Sequence, residues 1–167
     1  MTLHVYTRAM ISTLFPRNKL KMKNMSDRLN NAVSILRDGD YTLAVIHGDC
    51  VYTSKERGVK PLLELYEQYG DLCGAIAADK VVGKAAALLY VRLGVAELYT
   101  DVISTHALEV LKDNGIDVLY SVETDAIRNR RGDGFCPMET AVMDISDPDS
   151  AIAAIYATLK ALNQRKY

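Results

Sequence analysis

The chain has 167 residues, 49% hydrophobic and 25% charged, with a formal net charge of -1. That length bounds it to one domain with a real core, and the near-neutral balance gives no general pull toward nucleic acid or acidic membranes. No run approaches the roughly 20 apolar residues of a membrane span.

The charge is unevenly spread. Residues 1–26 hold Arg8, Arg17, Lys19, Lys21 and Lys23 and no acid, leaving 15 basic and 21 acidic side chains in the remainder. Arg8 and Pro16-Arg17 interrupt any secretion-signal core, and Met22 and Met25 offer alternative starts. Residues 1–25 therefore read as a basic leader, either disordered or an over-called start, and 26–167 as one domain. Nucleic-acid binding would depend wholly on that leader and is not expected. Cys50, Cys73 and Cys136 are odd in number and widely separated, which supports neither a disulfide framework nor a cysteine zinc site. A reducing cytoplasm fits them best.

In chain order, Ser26 caps a helix over Asp27 to Leu36, with apolar residues at Leu29, Ala32, Val33, Ile35 and Leu36. Tyr41 to Ile46 and Cys50 to Thr53 read as a hairpin, with Gly48-Asp49 as a two-residue turn. Pro61 opens a helix that Gly70 ends. Leu72 to Ala78 is a continuous apolar run, as in a strand covered on both faces. The pattern predicts a helix over Asp79 to Arg92, a strand over Val95 to Tyr99, a helix over Ser104 to Asn114 and a strand over Ile116 to Tyr120. Alternation of this kind implies crossover connections and parallel pairing. A loop rich in Arg and Gly leads to a short helix over Pro137 to Ile145, and Asp147-Pro148 opens the last helix. The expected fold is α/β: a three-layer α/β/α sandwich on a mixed five-stranded sheet.

Two stretches, Ala78-Asp79-Lys80-Val81-Val82-Gly83-Lys84-Ala85-Ala86 and Gly134-Phe135-Cys136-Pro137-Met138-Glu139, carry a resemblance. With the element order, they make the chain from about Ser26 resemble a small prokaryotic domain family of unknown function. That family is a divergent branch of the cytidine-deaminase-like fold. Zinc deaminases hold their metal with a His or Cys plus two cysteines and shuttle protons with a Glu. Here Asp79 to Lys84 offers none of these residue types, and Ser104 and Ala107 stand where the cysteine pair belongs. His106 alone cannot make a catalytic zinc site. Hydrolytic deamination by that route is not expected, and no metal or cofactor is assigned.

Ligands of open parallel sheets bind beyond the carboxyl ends of the strands. Asp79 to Lys84, Thr100 to His106 and Arg128 to Glu139 should converge there, each leading into a helix N-terminus that favours an anion. Lys80 and Lys84, four apart on one predicted helix face, would hold an anionic group beside Gly83; the alternative is a solvated pair. Asp79, Thr100, Ser104 and Thr105 would orient the ligand, though Asp79 and Ser104 also suit helix caps. Arg131, in the run Arg128-Asn129-Arg130-Arg131, could grip a phosphate, and Met138 lies in the same motif. Cys136 as N-cap with Glu139 at the third helical position imitates a capping box with sulfur in place of hydroxyl. Such a sulfur is favoured as thiolate, so Cys136 is either a nucleophile assisted by Glu139 or an inert cap.

The expected function is binding of a small anionic, nucleotide-like metabolite, with cysteine-dependent catalysis as an option. The alternative is a non-catalytic sensing or assembly module that associates with its own copies.

Overall fold

In a computed structural model of the chain, residues 4–7 (as backbone), 25–129 and 131–164 are described. Strand β1 (His4–Thr7) lies antiparallel to β3 (Cys50–Ser54) and is the outer strand on that side. Helix α1 (Asp27–Asp38) starts as the sequence predicts, with Ser26 Oγ accepting the Leu29 N–H at 3.1 Å. Strand β2 (Leu43–His47) turns into β3 through Gly48-Asp49. Gly48 takes φ +57° while Asp49 stays at negative φ, the combination of a type II′ hairpin turn.

Helix α2 (Lys60–Tyr69) precedes β4 (Ala75–Val82), α3 (Lys84–Arg92), β5 (Val95–Ser104), α4 (Thr105–Asp113) and β6 (Asp117–Thr124). Two C-terminal helices follow, α5 (Pro137–Ala141) and α6 (Pro148–Gln164). The sheet order is β1-β3-β2-β4-β5-β6, with β4, β5 and β6 parallel and the rest antiparallel. The predicted mixed five-stranded sheet is thus present as β3-β2-β4-β5-β6, and residues 4–7 add a strand to it. The rest of the basic leader lies outside the described residues.

Two apolar layers hold the sheet. On one face α1 buries Leu29, Ala32, Val33, Ile35 and Leu36 against Ala44, Ile46, Ile76, Ala78 and Tyr99. On the other, α2 to α6 pack over Val45, Ala77, Val82, Leu98 and Ile103. A fully buried Leu such as Leu36 contributes roughly 2 kcal/mol through lost apolar exposure.

The three parallel strands run about four residues further than their apolar runs predict. The β-branched pairs Val81-Val82 and Val102-Ile103 and the segment Val122-Glu123-Thr124 continue the ladder, with Val81 opposite Val102 and Val102 opposite Val122. This corrects the helix predicted to begin at Asp79. Asp79 and Lys80 are strand residues, Gly83 is extended (φ −98°, ψ 175°), and α3 begins at Lys84. Alternation also slips in this extension: Ala78 faces α1, whereas Val82, four residues on, packs in the opposite layer.

Gly94, which links α3 to β5, has φ +71°, and a Cβ there would lie 3.0 Å from both Asp71 Oδ1 and the Cys73 Cα. Gly94→Ala should therefore cost about 2 kcal/mol, from left-handed strain plus the backbone clash, read as a lowered urea midpoint at constant m. An unchanged midpoint would show that the loop relaxes freely.

Candidate functional site

The carboxyl edge of the parallel strands gathers three of the predicted segments around one buried carboxylate. Glu139, on α5, is 2% exposed. Its Oε1 accepts the Lys84 N–H at 3.2 Å and a short hydrogen bond from Ser104 Oγ–H; its Oε2 accepts the Ile127 N–H at 2.6 Å. Lys84 is the first residue of α3, so the carboxylate sits at that helix's positive end. Ser104 is the N-cap of α4, where its Oγ also accepts the Ala107 N–H at 3.3 Å. One hydroxyl thereby couples Glu139 to the second helix as donor and acceptor at once. A carboxylate of the chain itself thus occupies the first donor of α3 and the cap hydroxyl of α4.

Lys84 is 8% exposed, and its ammonium makes a short hydrogen bond to the Met143 carbonyl. That carbonyl is free because α5 ends at Ala141, earlier than predicted, and residues 142–145 continue as tight turns. Lys80 is held elsewhere: its Nζ meets Asp40 Oδ1 at 2.9 Å beyond the end of α1, and this contact keeps the Asp40 carboxyl below its usual range. Lys80 and Lys84 therefore do not share a helix face, because strand and cap separate them.

Asp79, on β4, is bonded to neither lysine side chain. Its Oδ2 accepts the Tyr90 O–H at 2.6 Å and its Oδ1 the Val81 N–H at 3.0 Å. Burial pushes its carboxyl up to about 6; the Tyr90 and backbone hydrogen bonds pull it down, and the Asp101 charge adds to the rise. Thr100 is wholly buried, and its hydroxyl donates to the Val102 carbonyl within β5. Thr105 Oγ1 reaches Glu123 Oε1 at 3.2 Å. Met138 is buried in the core.

Cys136 occupies the predicted N-cap position, but its side chain makes no capping hydrogen bond. Glu139 turns inward to Lys84, Ser104 and Ile127, which corrects the predicted capping box. The partly buried Cys136 is fixed through its backbone, its N–H donating to the Ile127 carbonyl at 2.8 Å. Arg131 is exposed in the loop ahead of it, its N–H bonded to Asn129 Oδ1; Arg130 lies outside the described residues. In the same loop the Arg128 guanidinium lies 5.0 Å over the exposed Phe135 ring.

Sequence reasoning missed Tyr90 and the carbonyl of Met143. Tyr90 was detectable as a hydroxyl on a helix otherwise almost wholly apolar. A second cluster was missed as well. Tyr99, fully buried, gathers Arg37 Nη2 at 3.0 Å, Asp101 Oδ1 at 2.8 Å and Ser121 Oγ at 2.8 Å around its hydroxyl. Among the described residues no three His, Cys, Asp or Glu side chains group as metal ligands. Nor is any described helix long and apolar enough to cross a membrane.

Residues 31–159 match the profile of the family described as TM1506: Domain of unknown function (DUF1893). The chain belongs to the DUF1893 family. Its structure is similar to the crystal structure of a DUF1893 family protein, TM1506, from Thermotoga maritima, with a TM-score of 0.74 and 27% identity over 84% of this chain and 96% of that one. No curated protein matches this DUF1893 chain.

Proposed function

We propose that this protein is a non-catalytic sensing or assembly module of cytidine-deaminase-like fold, working in a reducing cytoplasm. The observation that carries this reading is Glu139, whose carboxylate takes the first N–H of α3 and the cap hydroxyl of α4, at the place an anionic substrate would approach. The free state of Cys50, Cys73 and Cys136 suits the compartment. The element order, a hairpin followed by alternating helices and parallel strands, supports the deaminase-like assignment by analogy of fold alone.

A second reading keeps the small anionic, nucleotide-like ligand at the same edge, with Cys136 as nucleophile or contact. Arg128 over an exposed Phe135 favours it, since a cation beside a free ring face suits a phosphate next to a stacked base. Alkylation separates the two. Cys136 should react with iodoacetamide at pH 6 no faster than the exposed Cys73. Rapid, selective modification of Cys136 at that pH would overturn the non-catalytic reading. A nucleoside phosphate that raises the melting temperature, in a manner lost with Arg128→Ala, would favour the second.

A further inference from the structure

Strand β6 is the outer strand of the sheet on its side, and among the described residues no strand pairs with its free edge. Protected edges carry Lys, Pro, a bulge or a covering element. Asp117-Val118-Leu119-Tyr120-Ser121-Val122-Glu123-Thr124 contains no Lys, Arg or Pro. None of its eight residues is buried, although four of them are apolar. Beside it, an open cavity of about 240 Å³ is lined by Leu29 of α1, Glu97 of β5 and Asp117, Val118 and Leu119 of β6. The edge thus combines unsatisfied backbone, partly exposed apolar side chains and unfilled space.

We infer that a second copy of the chain docks here, its β6 antiparallel to the first about a two-fold axis through Leu119. The register follows from the strand itself. Val118 packs with the α2–α6 layer and Leu119 with the α1 layer, so alternation is regular at the start of the strand. The Tyr120 hydroxyl reaches Glu123 Oε2 at 3.2 Å and Thr105 reaches Glu123 Oε1, so Tyr120 and Glu123 share a face although three residues apart. Alternation therefore breaks after Ser121, leaving Asp117 to Ser121 as the regular segment, with Leu119 at its centre.

Pairing about that centre sets Leu119 against its own copy, Val118 against Tyr120 and Asp117 against Ser121. Side chains that face each other then share a face, as antiparallel pairing requires. An aromatic residue meets a β-branched one twice, and no like charges are opposed. Centring one residue later, on Tyr120, would set Asp117 against Glu123 and bring two carboxylates together. In the favoured register the copy's Leu119 arrives on the α1 face beside the cavity, where it would fill space that this chain leaves open. A copy of the same strand is the simplest occupant that meets all of these conditions.

This inference rests on the assembly reading of the protein and names its surface. Light scattering on the full chain should give twice the 18.5 kDa chain mass. Leu119→Lys, which places two ammonium groups at the axis, should return the monomer with an unchanged circular dichroism spectrum. As a second arm that does not risk the fold, Leu119→Cys should form a reducible covalent dimer under mild oxidation, while the wild-type cysteines do not. A wild-type monomer at every soluble concentration would overturn the interface. So would a dimer that survives Leu119→Lys, or one that Leu119→Cys fails to cross-link. A monomer would leave the Glu139 junction intact, and the alkylation experiment alone bears on that.

Discussion

Glu139→Ala should destabilise the fold by about 3–5 kcal/mol, one of the largest single-residue losses in the protein. The carboxylate accepts from Lys84 N–H, Ser104 Oγ–H and Ile127 N–H, and truncation leaves the first two buried without this partner and the third partly buried without it. A domain of this size has roughly 5–15 kcal/mol in total, so the variant should sit near its unfolding threshold at room temperature. Glu139→Gln should fall between it and the wild type. Its carbonyl oxygen can still serve Lys84 and Ser104, while its amide would confront the Ile127 N–H donor with donor. Urea midpoints at constant m give the order. A fully stable Glu139→Ala would mean that water serves the donors equally well, and the carboxylate would then be free for another role.

Asp79 should make the protein less stable as pH rises from about 4 to 7. Its carboxyl is raised to about 6 when folded, chiefly by burial, against an ordinary value of 3.8. Between those values the folded state binds more protons than the unfolded state, so stability falls as pH rises. The loss is complete once pH passes the folded value. Its size is about 2 kcal/mol, allowing for the partial exposure of the side chain. Asp79→Asn keeps the shape and can still bond Tyr90 and the Val81 N–H, but has no proton to lose. The variant should match the wild type near pH 4 and exceed it at pH 8 by that amount. A difference that stays constant across the range would show that Asp79 ionises without penalty.

Much of the fold was legible because its signals are local. Ser26 caps, Gly48-Asp49 turns, Pro61 and Pro148 lie in first turns, and each element follows within a few residues. Asp147 caps the last helix through the Ser150 N–H, as its place before Pro148 suggested. The far ends of β4, β5 and β6 were not legible. Asp79-Lys80 looks like a helix start, and only pairing with the neighbouring strands makes it extended. The same blindness governed the site. Lys84, Ser104 and Glu139 were singled out and do meet, because each lies at the end of an element that the sheet brings to one edge. What they do there depends on contacts 35 and 55 residues apart in sequence, which no spacing rule reaches. The spacing of Cys136 and Glu139 suggested a local cap, and a long-range set of donors outcompeted it.

Gly83 carries a consequence for how sequences of this kind can change. A Cβ at that position would meet Ile127 Cγ1 at 3.0 Å and the Glu139 carboxylate at 3.4 Å. Its φ of −98° is open to any residue, so the glycine is required by crowding and not by backbone conformation. The tight contact is with Ile127, since the carboxylate stands at ordinary van der Waals distance. Positions 83 and 127 are therefore tied by volume. A chain that gains a side chain at 83 must shorten or turn the one at 127, and a chain with a smaller residue at 127 is released to enlarge 83. Homologous sequences should sort into two groups, glycine with a large residue at 127 and a larger residue with a small one, with mixed pairs rare.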